Sequence, residues 1–272
     1  MISINEKEFI RLTTYMKDNY GINLSAKKTL IEGRLSRVLL EKGFSTFGEY
    51  LDFVFNDKTK TELDILINRL TTNHTYFMRE SKHFDYLKST VLPYLRDTVK
   101  DKNLRIWCAA SSTGEEPYTL EMIVQDFFHN ELSLWNKEII ASDISSRVLN
   151  IAKEGVYSLE SIQEVPSTWK LNYFEKVSDN TVRVKENIRK NVTFQKLNLM
   201  DTMLPFKRKF HVIFCRNVMI YFDQPTKTAL INRLYNVLED GGYLFIGLAE
   251  TVDRHATDFR YEMPAVYRKM KP

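Results

Sequence analysis

Residues 108–118 read Cys108-Ala109-Ala110-Ser111-Ser112-Thr113-Gly114-Glu115-Glu116-Pro117-Tyr118 and follow directly on the apolar run 104–107. A short β-prone run that breaks into small residues and then opens an amphipathic pattern predicts a strand, a turn and a helix starting near Pro117. In a crossover of this kind the ligand lies at the carboxyl ends of the strands, and small side chains let the turn approach it closely. The segment lacks the G-x-G-x-x-G pattern of a dinucleotide site. It puts Glu115 and Glu116 where a pyrophosphate would need bare N–H groups and the positive end of a helix dipole. The pair argues instead for a cationic or amine-bearing ligand, although acids at a helix N-terminus also serve simply to complement the dipole.

A second acid, Asp143 in Ala141-Ser142-Asp143-Ile144, lies somewhat farther from Gly114 than the ~20 residues usual for a ribose-binding carboxylate. It either accepts hydrogen bonds from ribose hydroxyls or caps a helix beginning near Ser146. The residues alone leave both readings open. His74, His83, His129, His211 and His255 form no metal-ligand spacing, and Cys108 and Cys215 are far apart in sequence. No metal site is therefore expected, and no Ser-His-Asp or Cys-His arrangement stands out.

Two regimes of periodicity must position these residues. Over residues 1–71 apolar side chains recur at helical spacing: Phe9, Leu12, Tyr15 and Met16; Leu30, Leu35, Val38 and Leu39; Phe47, Tyr50, Leu51 and Val54; Leu63, Leu66, Ile67 and Leu70. Gly21 and Gly43 fall where helices should stop, so a small helical bundle is expected. Residues 72–103 form a linker with a helix over 81–99. From residue 104 the period changes. Strands are expected at 105–109, 139–142, 192–196, 211–214, 243–247 and 265–268, with helices at 117–128, 146–153 and 226–238. This alternation predicts a mainly parallel α/β sheet over 104–272. Asp240-Gly241-Gly242 reads as a stop before the next strand, and the last run suits an antiparallel edge. Between about 160 and 191 the rhythm breaks: pieces at 171–174 and 181–185 flank Ser178-Asp179-Asn180 and read as an appended hairpin.

The chain's 272 residues, 43% hydrophobic and 27% charged, describe an ordinary globular protein with ample core. No apolar stretch approaches the ~20 residues of a membrane span. The start, residues 1–6, has neither a charged n-region nor an apolar h-region, which predicts a cytoplasmic protein. The two cysteines then read as reduced core thiols. A net charge of +4 is weak evidence for a polyanionic partner and argues against nucleic acid.

Three blocks are more specific than any of this. The segment 108–118, the run Thr71-Thr72-Asn73-His74-Thr75-Tyr76-Phe77-Met78-Arg79-Glu80, and Phe214-Cys215-Arg216-Asn217-Val218-Met219-Ile220-Tyr221-Phe222 resemble, in order and approximate spacing, the CheR-type chemotaxis receptor methyltransferases. The resemblance runs over nearly the whole chain. It implies a seven-stranded class I S-adenosylmethionine-dependent methyltransferase domain with a small β-subdomain, preceded by a helical receptor-recognition bundle. It also implies O-methylation of receptor glutamates, giving γ-methyl esters and S-adenosylhomocysteine.

Site roles follow from the same resemblance. Cofactor contacts are expected from Asn73, Thr75, Arg79, Glu116, Asp143, Asn198, Leu199, Arg216 and Asn217. Glu116 is assigned to the methionyl ammonium and Asp143 to the ribose, while Leu199 covers the adenine and Asn198, or the backbone there, bonds its edge. The spacing of Asn73, Thr75 and Arg79 is compatible with one helical turn facing the cofactor. Arg79, a bidentate fork, holds either the methionyl carboxylate or the substrate glutamate, and Tyr221 stands beside the transferred methyl. Lys27, Arg34 and Arg37, a basic stripe opposite Leu35, Val38 and Leu39, suit an acidic receptor helix. Family members that dock a receptor's C-terminal pentapeptide carry a longer, glycine-containing hairpin loop. The short loop here predicts recognition without that tether, by a monomer. Two other readings stand beside this one: the same fold acting on a small molecule or RNA, and a non-catalytic cofactor-binding module.

Overall fold

The computed structural model describes residues 2–253 and 255–270. Four helices build the N-terminal bundle: α1 (Glu6–Tyr20), α2 (Lys28–Glu41), α3 (Phe47–Asn56) and α4 (Thr61–Leu70). Local chemistry fixes two of their starts. Asn5 with Glu8, and Thr46 with Glu49, each form a reciprocal pair in which the cap side chain takes an N–H of the first turn and the glutamate reaches back. Phe9, Leu12, Met16, Leu35, Tyr50, Leu51 and Leu66 close a separate apolar core.

The linker departs from the expected helix. Residues 71–76 have no regular structure, and 77–81 form turns with Met78 and Glu80 at φ +64° and +57°. Asn73, Thr75 and Arg79 therefore do not share a helical turn. The helix expected over 81–99 is also interrupted: α5 (Lys82–Tyr86) widens into a π-helical turn (Leu87–Val91) before α6 (Leu92–Thr98). Pro93 lies just beyond that turn and has no N–H to give to the ladder, which is a physical reason for the wider turn.

The second domain is a mixed sheet of seven strands: β1 (Asn103–Cys108), β2 (Asn136–Asp143), β6 (Val192–Lys196), β7 (Phe210–Cys215), β8 (Leu238–Ile246), β9 (Phe259–Met263) and β10 (Val266–Lys269). Their order is β6-β2-β1-β7-β8-β10-β9, with β10 antiparallel to both neighbours. This is the class I methyltransferase arrangement. Helices α7 (Glu115–Phe127), α8 (Ser146–Glu154) and α11 (Gln224–Val237) connect the strands. Ile106, Val212 and Phe214 point into a layer shared with Phe84, Leu92 and Leu120, while Trp107, Ile213 and Leu244 point into the opposite layer with Leu230 and Leu234. Burial on both faces explains why β1 and β7 are mostly apolar on both sides, with Arg105 and His211 as exceptions.

Three local expectations are corrected. The strand expected over 171–174 starts only at Phe174: α9 (Ser167–Tyr173) precedes β4 (Phe174–Lys176), which pairs with β5 (Thr181–Val184). β3 (Val156–Ser158), from before residue 160, completes a three-stranded sheet with β5 at its centre. The glycines at 241 and 242 do not precede β8 but lie within it, where the register against β7 shifts between Phe210 and Val212. β9, which the sequence pattern did not signal, forms the far edge.

Candidate functional site

The strand order turns back at β1, with β2 and β6 on one side and β7 and β8 on the other. A crevice opens at such a switch point, outside the carboxyl ends of the strands. Here it is a cleft of about 1200 Å³ including its mouth. Ala109, Ala110, Asp143, Leu199, Arg216 and Asn217 enter it from the strand tips, Asn73, Thr75 and Arg79 from the linker, and Tyr20, Ile22, Leu24 and Lys27 from the bundle. Glu116 and Tyr221 complete it. The bundle's part in the wall was not foreseen.

The turn after β1 is shaped by its small residues. Gly114 has φ +98°, and a Cβ there would stand 2.8 Å from Ala152 Cβ and 2.9 Å from the Tyr157 hydroxyl oxygen. Its role is thus packing against α8 and β3, while the alanines face the cleft. Ser112, at φ +48°, donates from its hydroxyl to the Asn73 carbonyl at 2.9 Å. That bond ties the turn to the linker.

Asp143 is 8% exposed. Its two oxygens accept the Ser112 N–H at 2.8 Å and the Ser145 N–H at 3.0 Å. Burial raises its pKa, against those backbone N–H groups. The helix cap is Ser145, whose hydroxyl takes the Val148 N–H, so the capping alternative for Asp143 is corrected. Asn198 lines the cleft and spends its amide on neighbours, donating to Asn19 O at 2.8 Å and accepting from the Met200 N–H. Leu199 is buried at the same tip.

Arg216 departs most from expectation. Its side chain is 1% exposed. Nη1 donates to Glu116 Oε2 at 2.7 Å, and Nη2 donates to the Arg79 carbonyl at 2.5 Å and lies 3.1 Å from Glu80 Oε2. The guanidinium therefore braces the cleft wall from inside. Glu116 also accepts the Cys108 thiol at 3.0 Å, and burial pushes both Cys108 and Cys215 thiols well up, keeping them protonated.

Two further glutamates hold the tips of β7 and β8, and sequence reasoning missed them. Glu80 accepts from Asn217 Nδ2 at 3.1 Å and from the Leu248 N–H at 3.2 Å. Burial pushes its carboxyl up, but Asn217, Arg216 and the Leu248 N–H together draw it below the usual range. Glu250 is buried and accepts the N–H groups of Asn217, Met219, Ile220 and Gly247. Asn217 sits at φ +57° so close to Gly247 that a Cβ there would meet its Nδ2 at 2.5 Å. The only sequence signal was position: Glu80 ends the block 71–80, and Glu250 follows the strand tip of β8.

The basic stripe divides. Arg34 is not a free cation: Nη1 donates to the carbonyls of Arg69, Leu70 and Thr71, and Nη2 to Thr72 Oγ1. It satisfies the orphan carbonyls at the end of α4 while remaining half-buried. Arg37 pairs with Glu41 at 2.7 Å and stays exposed. Lys27 is exposed at the cleft. Arg79 donates from Nη1 to His74 O at 2.7 Å.

Comparison with known proteins divides the chain near residue 72. Residues 7–71 match the CheR methyltransferase all-α domain, and residues 73–267 match the CheR methyltransferase SAM binding domain. The chemotaxis protein methyltransferase of Borreliella burgdorferi is 44% identical over 272 residues, covering 98% of this chain and 96% of the relative. That of Escherichia coli K12 is 33% identical over 276 residues, covering 99% and 93%. A probable chemotaxis protein methyltransferase of Rhizobium etli is 36% identical over 263 residues, covering 92% and 97%. With both family domains matched in order across nearly its whole length, this chain belongs to the CheR methyltransferase family, and its cofactor is S-adenosylmethionine.

Proposed function

We propose that this enzyme methylates glutamate side chains on chemotaxis receptors, and that the cleft between bundle and sheet is where it does so. The observation that carries the reading is convergence: linker, four strand tips and bundle, far apart in sequence, line one cleft with residues matching the family's pattern. The wall fits the cofactor in kind. Its negative end, at Glu116, suits an ammonium; its apolar residues Ile144, Leu197 and Leu199 suit an adenine; and Asp143 lies between them in sequence.

S-Adenosylmethionine supplies an electrophilic methyl group on a sulfonium. The chain's own residues have little proton chemistry to perform, because a glutamate with a reference pKa of about 4.3 is already ionised at neutral pH. Their task is alignment. Arg79 is assigned to holding a carboxylate, of cofactor or substrate, and Tyr221 to bordering the reacting methyl. Asn73, Thr75 and Asn217 are assigned to the methionyl end, with Leu199 and the backbone around Asn198 at the adenine. Arg216 is assigned an indirect role, through Glu116. Ile22, Leu24 and Val218 make much of the remaining wall apolar, which limits the hydration of a weak nucleophile.

Receptor recognition is assigned to Lys27, Arg34 and Arg37, with charge complementarity toward acidic helices. Docking of a C-terminal tether is not part of this reading: the turn between β4 and β5 is short, closed by Val177 and Ser178 N–H groups on Thr181 O, and its residues 178–180 contain no glycine.

The test is incubation with methyl-labelled S-adenosylmethionine and receptor-containing membranes. Label incorporated into receptor and released as methanol by base is the expected outcome. Arg79→Ala and Tyr221→Phe should lose turnover at saturating cofactor while melting near the wild-type temperature. Label in a base-stable product, or only in a small molecule or RNA, would overturn the proposal.

A further inference from the structure

The guanidinium of Arg216 is shared between two carboxylates and the Arg79 carbonyl. Nη1 lies 2.7 Å from Glu116 Oε2 and Nη2 lies 3.1 Å from Glu80 Oε2. Glu116 borders the cleft, whereas Glu80 does not. Behind them His83 is fully buried and held neutral, its pKa lowered to about 4 by burial and then by Arg216. One positive charge therefore faces two negative ones in a water-poor setting.

Glu80 is not free to relax toward another partner. Its Oε1 accepts from Asn217 Nδ2 and its Oε2 from the Leu248 N–H, and both Glu80 and Asn217 hold positive φ. Gly247, crowded against Asn217, closes the same clasp. A guanidinium offered a single carboxylate prefers to bind it with two parallel N–H donors. Such a fork on Glu116 would add a charged donor to Oε1, which already accepts the Cys108 thiol, and leave little room there for a further donor.

We propose that Glu80 is a positioning residue for cofactor binding: together with the Arg79 carbonyl it holds Nη2 of Arg216 and so keeps the guanidinium off Glu116 Oε1, which then has room beside the Cys108 thiol to accept from the cofactor's ammonium. The inference rests on the assignment of Glu116 to that ammonium. It goes beyond that assignment in giving a residue outside the cleft control over affinity within it.

Calorimetric titration of S-adenosylhomocysteine, which carries the same ammonium and requires no turnover, tests it. Glu116→Gln, Glu80→Gln and the double variant are compared with the wild-type chain. Each single change is expected to weaken binding on the order of tenfold, the scale of a hydrogen bond to a charged group. The double variant should bind about as weakly as Glu116→Gln alone, because both changes remove the same interaction. A residue that merely supports the fold would give losses that multiply. Wild-type affinity in Glu80→Gln, or multiplied losses in the double variant, would overturn the proposal. Wild-type affinity in Glu116→Gln would overturn the underlying assignment, and this proposal with it. If Glu80→Gln does not fold, Glu80→Asp, which keeps the charge but shortens its reach, takes its place under the same criteria.

Discussion

On the strand-tip side of the cleft, Arg216 is closed off from solvent between Glu80 and Glu116, and Glu250 gathers four backbone N–H groups beneath Asn217. On the bundle side the contacts are of another kind. Lys17 meets Asp223, and Lys196 meets Asp64, with every partner between 28% and 50% exposed. Asn68 and the Asn19 carbonyl add single hydrogen bonds across the seam. Exposed pairs of this sort contribute little and fade with salt. A buried network is different: its members are expensive to strand, whatever the network is worth as a whole. One wall of the same cleft thus rests on a buried charge network, and the other adds exposed pairs to the close approach of Gly21 to Met200 and Phe222 and a backbone bond from the Asn23 N–H to the Tyr221 carbonyl. A wall built of exposed pairs suits the domain that must meet a macromolecular substrate, and a buried one suits the end that must hold a small charged ligand in register.

The sharpest way to break this contrast is to remove the guanidinium. Arg216→Met leaves Glu80 and Glu116 without their cation and is expected to cost roughly 3–5 kcal/mol of stability, read by chemical denaturation. A loss below about 1 kcal/mol would place Arg216 in the same class as the exposed pairs.

Acid sharpens it next. His83 has a folded pKa lowered from 6.5 to about 4 by burial and by Arg216, so below pH 6.5 the unfolded chain takes up a proton that the folded chain refuses. Stability should fall as the pH drops through that window, by up to about 3 kcal/mol from this residue. The slope should flatten in His83→Gln. On the bundle side Asp223 is drawn down to about 2 by its bonds to Thr226 and Lys17. Its contribution is present above the usual carboxylate range and is lost only as the pH falls toward 2. Acid titration of wild type and His83→Gln therefore separates the two walls: a slope between pH 6.5 and 4 that His83→Gln leaves unchanged would contradict the assignment.

The smallest expected effect is on the seam. Asp64→Asn removes a partner of Lys196 and should change stability by at most about 1 kcal/mol, with the difference shrinking at high salt. A larger, salt-insensitive loss would show that the seam is held as firmly as the buried network.

The residues that carry chemistry were largely visible in the sequence because their blocks are long and unusual. The segment 108–118 announced its strand, turn and helix through composition alone. What stayed hidden is what depends on distant partners. Arg34 reads as part of a basic stripe, and only the fold brings the end of α4 within its reach. Arg216 reads as a cleft arginine, yet it is enclosed by the linker from more than a hundred residues away. Glu80 and Glu250 have no spacing signal, since what they bind is backbone N–H and side chains exposed at strand tips. Residues 171–174 were misread because Leu171 and Tyr173 alternate like a strand, whereas Trp169 and Tyr173 pack together one helical turn apart and both bond Asp126.

The strand-tip wall, rather than the bundle wall, is assigned to holding the cofactor. The most direct test is calorimetric titration of S-adenosylhomocysteine into wild type, Asp143→Ala and Lys27→Met, each checked for folding by thermal melt. Asp143→Ala is expected to lose roughly 1.5–3 kcal/mol of binding free energy, the range for a hydrogen bond to a charged group, while Lys27→Met binds as wild type does. Unchanged affinity in a folded Asp143→Ala chain, or a greater loss in Lys27→Met, would contradict that assignment.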